Sequence, residues 1–267
     1  MNILIPMAGA GSRFTNQGYS EHKPLIPVTS RHSLITLPMV VAAVHDLPVD
    51  IDSIETNLLF ILRDFHLNDG VDKALLVHFP RAQFIAIEAL TEGQASTCLH
   101  ARAHFDMEAP MMIAACDNGM DLSCAVFQER AKEAEALIFT FCGNDAATEN
   151  PNAYGWVRTE GEVATGVSIK QPISSTPHAD HAIVGAFWFQ NGHDFFAAAD
   201  QMIASNERIN GEFYVDQVFR HLIDSGKKVH VSEVDRYICW GTPEEYEAYE
   251  GTLTYWTNFV SKEEWLR

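Results

Sequence analysis

The sequence predicts an α/β fold with a mostly parallel central sheet, helices on both of its faces, and mixed strands in the second half. Short apolar segments alternate with helical ones through the first 150 residues. These segments are apolar at successive positions rather than at every second one, which is typical of strands buried on both faces of a parallel sheet. After residue 150 the strands are joined by short turns, which predicts mixed pairing.

One domain is expected over residues 1–267, because this length lies near the upper limit for a single hydrophobic core. Residues 1–150 and 151–267 form its two halves. Apolar runs bounded by turn residues predict strands, and apolar residues three or four positions apart predict helices. Strands are predicted at residues 2–6, 57–62, 83–87, 111–115, 137–141, 155–159, 163–170 and 182–189. Helices are predicted at residues 34–47, 67–79, 94–105, 122–136, 193–204, 213–224 and 243–259.

The chain is strongly acidic, with 18 Lys and Arg against 36 Asp and Glu and a formal net charge of −18. Such a surface repels nucleic acids and anionic membranes, and no run of basic residues opposes this repulsion. Neither kind of partner is therefore expected. Because cations are few, Arg13, Lys23 and Lys170 are the natural candidates for holding an anionic substrate.

Five scattered cysteines without a Cys-x-x-Cys pair indicate reduced thiols, and thus a cytoplasmic protein. The apolar start of the chain is too short for a signal peptide and lacks a basic region, which favours the same location. The 12 histidines contain no His-Glu-x-x-His pattern. His178 and His181 fall in a polar segment and are expected to be exposed, so no zinc site is predicted.

The first predicted strand leads into a loop with two glycines, residues 7–14. Glycines let the backbone approach a ligand closely, and consecutive N–H groups in such a turn can bind an anion. The loop lacks the Gly-Lys-Ser/Thr of a Walker motif, and Phe14 stands where a dinucleotide fingerprint needs its third glycine. Nucleotide contacts are predicted for Ala8, Gly9, Ala10, Gly11 and Ser12.

Two cations follow this loop. The Arg13 guanidinium comes directly after the glycines and suits a bidentate grip on phosphate oxygens. Residues 9–13 (Gly-Ala-Gly-Ser-Arg), followed by residues 23–25 (Lys-Pro-Leu), resemble the signature loop of the sugar-phosphate nucleotidylyltransferases. The resemblance implies a Rossmann-like nucleotidyltransferase fold, with Arg13 and Lys23 as the catalytic residues.

The resemblance continues at two further places in the first half. Residues 91–95 are similar to the family's loop that reads the base, which implies nucleotide contacts from Gly93 and Gln94; a simple helix start is the alternative. Asp117 follows the strand predicted at 111–115, where ligands of parallel sheets usually bind. It resembles the family's magnesium carboxylate, and an oxygen ligand suits Mg²⁺; an Asp that starts a turn is the alternative.

In the second half, four segments resemble elements that bind the acceptor in this family: residues 153–157, 168–172, 183–187 and 210–213. They imply acceptor contacts from Gly155, Lys170, Gly185 and Glu212. Two details depart from simple agreement. Gln171 alters the spacing after Lys170, and Glu212 can instead be a charge that favours a helix N-terminus.

Residues 240–245 resemble the family's Asp-x-Gly-Thr-Pro element, but Cys239 stands where the second metal carboxylate is expected. A thiolate is a poor ligand for Mg²⁺. Either water completes the coordination of the ion at Asp117, or Asp235, Glu212 or Asp216 takes the place of the missing carboxylate.

The resemblance implies an enzyme that joins a nucleoside triphosphate to a phosphorylated small molecule, releases pyrophosphate and uses Mg²⁺. A sugar 1-phosphate, as in sugar nucleotide and polysaccharide biosynthesis, is the first choice of acceptor. A cytidylyltransferase for a non-sugar phosphate such as phosphocholine or glycerol phosphate is the alternative. A catalytically weak regulatory homologue is a further alternative to an active enzyme, suggested by Cys239.

A Rossmann oxidoreductase is disfavoured by the missing third glycine. A homo-oligomer is compatible with the sequence.

Overall fold

A computed structural model describes the backbone of residues 1–263 and the side chains of residues 1–260. Its strands are β1 Asn2–Pro6, β2 Pro27–Thr29, β3 Thr36–Pro38, β4 Asn57–Arg63, β5 Gln83–Ile87, β6 Met111–Ala114, β7 Asn118–Asp121, β8 Ala136–Phe141, β9 Gly155–Glu160, β10 Val163–Ile169, β11 His181–Phe189, β12 Val229–Glu233 and β13 Arg236–Cys239. Its α-helices are α1 Ser12–Asn16, α2 Met39–His45, α3 Asp64–Asn68, α4 Val71–His78, α5 Gln94–Cys98, α6 Cys124–Glu133, α7 Asp145–Glu149, α8 Gly192–Ala204, α9 Val218–Asp224 and α10 Pro243–Glu263.

Nine strands form the main sheet, in the order β5-β4-β1-β6-β11-β8-β12-β10-β9. The first four of these pair in parallel, as predicted. Beyond β6 the pairing is antiparallel except between β8 and β12. The α/β class and the mixed second half are therefore confirmed, but the expectation of a mostly parallel sheet is wrong: the sheet as a whole is mixed.

Strand β11 contains a bulge at the point where it passes from one set of partners to another. The register of β11 against β8 shifts between Ile183 and Phe187, and Gly185 within this interval has a φ of 94°, a conformation that glycine adopts readily. A bulge bends a strand and increases its twist. The end of β11 thus lies beside β6, while its start pairs with β9. Strands β11, β8, β12, β10 and β9 consequently close into a ring.

Two hydrophobic clusters cover the two faces of the sheet. On one face, Phe195 of α8 and Phe219 of α9 pack against Phe189 of β11, with ring centroids 5.4 and 5.2 Å from it. On the other face, Val40 of α2 and Leu75 of α4 join the second cluster. The prediction of helices on both faces is confirmed.

Several predicted helices are shorter than expected, for identifiable reasons. Residues 34–47 contain strand β3 before α2, because Pro38 lacks an N–H and disfavours helix in the residue before it. Residues 67–79 divide at Gly70, whose φ of 78° interrupts the helix. Residues 94–105 begin as α5 and continue as a 3₁₀ helix, Leu99–His104.

Strand β12 was not predicted, although it lies between β8 and β10. Its sequence, Val-His-Val-Ser-Glu, alternates apolar and polar residues, yet His230 and Ser232 are buried. Ser232 Oγ accepts a hydrogen bond of 2.8 Å from Arg130 of α6, which satisfies this buried hydroxyl. Strand β12 is therefore buried on both faces, although its polar residues are not typical of a buried strand.

The sheet runs across residue 150, since β11 lies between β6 and β8. The single domain over residues 1–267, with its two halves, stays a prediction. In the part of the chain that the structure describes, no helix is both long and apolar enough to cross a bilayer.

Candidate active site

The glycine loop leaves β1 and turns directly into α1. Gly11 has a φ of 62°, and a Cβ added there would lie 3.3 Å from the Cβ of Lys23. Glycine is therefore needed both for the left-handed backbone and for the close approach of the two segments. Fully buried Phe14 anchors α1 against the Tyr19 and Tyr246 rings, at centroid distances of 5.1 and 6.2 Å.

Lys23 and Asp117 form an ion pair at the carboxyl end of β6. The Lys23 ammonium lies 2.6 Å from Asp117 Oδ2 and donates a second hydrogen bond of 3.0 Å to the Gly241 carbonyl. Burial lowers the pKa of Lys23, but the adjacent Asp117 carboxylate opposes this effect and leaves the pKa raised. Lys23 is therefore charged and joins the end of β6 to the segment before α10.

A cavity of about 270 Å³ opens above this pair. Seven of the predicted site residues line it: Gly9, Gly11, Ser12, Arg13, Lys23, Gln94 and Asp117. The cavity therefore brings together the loop, both proposed catalytic cations and the proposed metal carboxylate. Such an arrangement of backbone amides and cations suits a chain of phosphate groups.

A second cavity, of about 430 Å³, adjoins the first. The two share Arg13, Gln94, Ala115 and Asp117, so they lie side by side and have part of their walls in common. Of the predicted acceptor residues, Gly155, Lys170 and Gly185 line this second cavity. The predicted Glu212 is exposed and does not contribute to its wall.

Lys170 and Asp216 provide opposite charges in the second cavity. Burial lowers the pKa of Lys170, and the charge of Arg13 lowers it further while Asp216 opposes both. Burial raises the pKa of Asp216 to about 6, against the opposing effect of Lys170. Gly155 leaves room for this carboxylate, since a Cβ there would lie 2.4 Å from Asp216 Oδ2. The cavity thus holds a cation together with a carboxyl group that can change its protonation.

Cys239 and Glu245 lie beside the ion pair. The Cys239 thiol donates a hydrogen bond of 3.1 Å to Glu245 Oε2. Burial, and next the Glu245 charge, raise the pKa of Cys239 to about 12, so the thiol is protonated at neutral pH. A Cβ added at Gly241 would lie 3.6 Å from Glu245 Oε2 and 3.7 Å from Asp117 Oδ2. The carboxylates of Glu245 and Asp117 thus approach the same glycine.

Comparison with known proteins gives a consistent result for the fold. No protein-family model matches the chain, and none of the curated proteins matches it. A nucleoside-diphosphate-sugar pyrophosphorylase from Vibrio cholerae RC9 is similar in structure, with a TM-score of 0.75 and 23% sequence identity over 92% of this chain and 98% of that one. The chain has a nucleotidyltransferase fold.

Two further structures with this fold are similar over almost the whole chain. A putative glucose-1-phosphate thymidylyltransferase from Bacillus anthracis has a TM-score of 0.71 at 16% identity, over 94% of both chains. The inositol-1-phosphate CTP transferase from T. maritima has a TM-score of 0.67 at 10% identity, over 93% of both chains. The expected nucleotidyltransferase fold is confirmed, although its sheet is mixed rather than mostly parallel.

Three predicted nucleotide contacts lie outside the first cavity. Ala8 is buried in a hydrophobic cluster, and Ala10 lines a smaller neighbouring cleft together with Lys23. Gly93 has a φ of 130°, and a Cβ there would lie 2.5 Å from the backbone N and O of Phe213. Packing against Phe213 accounts for this glycine; its contact with a nucleotide stays a prediction.

Of the three residues that could replace the missing metal carboxylate, none approaches Asp117 in the structure. Glu212 and Asp235 are exposed and lie outside both cavities, whereas Asp216 faces Lys170 rather than Asp117. Glu245 was not considered, although the sequence carries a signal for it. Thr242 and Glu245 form a capping box at the start of α10, with reciprocal bonds of 3.1 and 3.2 Å. The Thr-x-x-Glu pattern could have indicated that Glu245 points back toward Gly241.

Proposed function

We propose that this chain is a nucleotidyltransferase that joins a nucleoside triphosphate to a phosphorylated small molecule and releases pyrophosphate. The observation that carries the proposal is the position of the Lys23–Asp117 pair, in the first of two adjoining cavities that together have space for two substrates. The glycine loop and Arg13 suit the triphosphate, and Lys170 suits the phosphate of the acceptor. All three similar structures are described as pyrophosphorylases or nucleotide transferases.

In the proposed reaction, a phosphate oxygen of the acceptor attacks the α-phosphorus of the nucleotide. The bond from this phosphorus to the bridging β-oxygen breaks, and pyrophosphate leaves with the electron pair. Arg13 holds the leaving β- and γ-phosphates, and Lys23 stabilises the charge that builds on the α-phosphate. Lys170 attracts and orients the acceptor phosphate. No protein nucleophile is required, so the rate depends on positioning and charge neutralisation.

The residues around Asp117 fit a hard divalent cation such as Mg²⁺. Asp117 would supply one carboxylate, and Glu245, which approaches the same glycine, would supply a second in place of the one expected at Cys239. The protonated Cys239 thiol is not a ligand. When bound, Mg²⁺ would neutralise charge on the triphosphate. Before substrates arrive, the Lys23 ammonium supplies the counter-charge for Asp117.

A sugar 1-phosphate is the proposed acceptor. Two of the similar structures are named for sugar nucleotides or sugar phosphates, while the third is named for inositol 1-phosphate and CTP. A cytidylyltransferase for a non-sugar phosphate is therefore the second candidate. We place the enzyme in the cytoplasm, in line with its reduced cysteines.

The experiment is a pyrophosphate-release assay with purified protein and Mg²⁺. Each of the four common nucleoside triphosphates is combined with sugar 1-phosphates, inositol 1-phosphate, phosphocholine and glycerol phosphate. Turnover with one acceptor class above the background of nucleotide alone is expected. Nucleotide binding without turnover across the whole panel would contradict the proposal and favour a regulatory homologue.

A further inference from the structure

Three neighbouring strands of the closed ring bring a thiol, an imidazole and a carboxylate together. Cys142 follows the end of β8, His181 begins β11, and Glu233 ends β12. The register explains their meeting, since Thr140 of β8 pairs with Glu233, and Phe141 pairs with Ala182. The sequence placed His181 in an exposed polar segment, but the residue begins a strand and is half-buried.

The ligand atoms of these residues have the spacing of a metal site. One potential ligand atom from each of the three lies within 4.8 Å of the other two. Cys142 Sγ and His181 Nδ1 are 3.5 Å apart. With Zn–S of about 2.3 Å and Zn–N of about 2.05 Å, a tetrahedral zinc ion separates its sulfur and nitrogen ligands by about 3.6 Å. The sulfur and nitrogen are already at that distance.

We propose that Cys142, His181 and Glu233 bind a zinc-like divalent cation. A thiolate, a neutral imidazole and a carboxylate together carry two negative charges, which balance such an ion. The sulfur and nitrogen ligands favour zinc over Mg²⁺, which prefers oxygen. Water would complete four-coordination. The proposal does not depend on the proposed function.

Binding of the cation would change the hydrogen bonding of His181 and the protonation of Cys142. Thr140 Oγ1 lies 3.1 Å from His181 Nδ1, a contact that the ring nitrogen exchanges for the metal. Burial, followed by the charges of Glu233 and Asp180, raises the pKa of Cys142 to about 11. Independently of this shift, a thiol that becomes a metal ligand loses its S–H bond, so forming the sulfur–metal bond releases one proton to solvent.

The site lies apart from the two adjoining cavities but at the base of one of their walls. As far as the described residues show, those walls do not include Cys142, His181 or Glu233. Residues 143–154 begin immediately after Cys142, and their members Asn150 and Tyr154 line the acceptor cavity. A bound cation would thus fix the base of the segment that carries part of the acceptor wall.

Cobalt titration of the chelator-treated full chain tests the site. A thiolate–cobalt charge-transfer absorption that saturates at one equivalent is expected, with about one proton released per ion. Zn²⁺ should displace the cobalt, and Mg²⁺ in large excess should not. Absence of this absorption in the wild-type protein would show that the cluster is only a hydrogen-bonded group.

Matched variants locate the bound ion. Cys142→Ser should abolish the absorption and weaken zinc binding by more than the roughly 100-fold that loss of an outer-shell partner can cost. Cys124→Ser, an exposed cysteine on α6, should leave both unchanged. If the absorption persists in Cys142→Ser but disappears in Cys239→Ser, the soft metal lies near Asp117 and the proposal is wrong.

A further variant distinguishes loss of the metal site from loss of the fold. Glu233 is exposed, so Glu233→Gln should preserve the fold, which circular dichroism without metal would verify. Zinc should raise the thermal midpoint of the wild type but have little effect on this variant. Equal zinc affinity of Glu233→Gln and wild type would remove the carboxylate from the site and contradict the proposal.

Discussion

The Lys23 ammonium and the Asp117 carboxylate are 2.6 Å apart, and both line the first cavity. In the proposed complex, Lys23 would contact the phosphate oxygens of the nucleotide. Asp117 would contact the divalent cation bound to those phosphates. In the free protein they neutralise each other. Binding of a metal–nucleotide complex must therefore separate this pair and replace each half with a new partner.

Removing the lysine tests its role in the proposed reaction. Lys23→Ala should lower kcat by about 100- to 1000-fold, the usual effect of losing one group that stabilises transition-state charge. The control is Lys132→Ala, which removes an exposed lysine paired with Glu129 on α6 and should leave kcat unchanged. Wild-type turnover by Lys23→Ala would exclude this side chain from the mechanism.

Glu245 is predicted to set the magnesium requirement. Glu245→Gln retains an oxygen for the Thr242 N–H but loses the charge, so half-maximal activity should require on the order of 10 times more Mg²⁺. Glu247→Gln on the same helix provides the matched control, because Glu247 contacts Tyr19 rather than the cavity. Identical Mg²⁺ titrations of Glu245→Gln and wild type would show that Asp117 and water are sufficient.

Asp216 should make stability depend on pH. Because burial raises its pKa from 3.8 to about 6, the folded protein binds this proton more tightly than the unfolded chain does. The resulting stabilisation is fully present below pH 4 and is lost as the pH rises through about 6. It amounts to at most about 3 kcal/mol, since a pKa difference of one corresponds to about 1.4 kcal/mol.

Denaturant unfolding of wild type and Asp216→Asn between pH 3.5 and 7.5 checks this prediction, because asparagine cannot titrate. The free energy of unfolding of the wild type should fall relative to that of the variant across this interval. A constant difference between the two proteins would show that Asp216 has the same pKa in the folded and unfolded states.

Gly155 should control acceptor binding. A Cβ at this position would lie 2.4 Å from Asp216 Oδ2 and 2.9 Å from the Ile183 side chain, so Gly155→Ala must displace part of the wall of the second cavity, where the acceptor is proposed to bind. Overpacking costs about 1–3 kcal/mol, and 1.4 kcal/mol is a tenfold change, so the KM for the acceptor should rise on the order of tenfold. The KM for the nucleotide should change much less.

A glycine on the adjacent strand provides the comparison for Gly155. Gly166 of β10 meets only Arg158 at 3.8 Å, which is ordinary contact, so Gly166→Ala should leave both KM values near those of the wild type. Equal effects of Gly155→Ala on the two substrates would mean that the change disturbs the fold generally rather than the acceptor wall.

Local signals predicted several strands and the position of the glycine loop well. β1 and β5 have the predicted bounds, since continuous apolar runs flanked by turn residues admit few other interpretations. The signature segments also located Lys23 and Asp117, which are 94 positions apart in the sequence and in contact in the fold.

The features that sequence reasoning missed depend on long-range contacts. Strand β12 carries buried polar residues that only a neighbouring helix and strand can accommodate. Glu245 and Asp117 come to the same glycine because the start of α10 lies beside the end of β6, where the Trp240 N–H donates a hydrogen bond of 2.9 Å to the Asp117 carbonyl. The closed ring depends on the bend in β11. A single glycine in an apolar segment, here Gly185, does not predict such a bend.

The bend at Gly185 also bears on how this molecule can move. Strand β11 takes part both in the open portion of the sheet and in the closed ring, and its Gly185 lines the second cavity. A rigid-body hinge between the two portions would have to break main-chain bonds on both sides of β11. We therefore expect surface segments such as residues 143–154 to adjust when substrates bind. The distance between the first and second cavities is expected to stay nearly constant, because the backbone of β11 connects the two portions of the sheet.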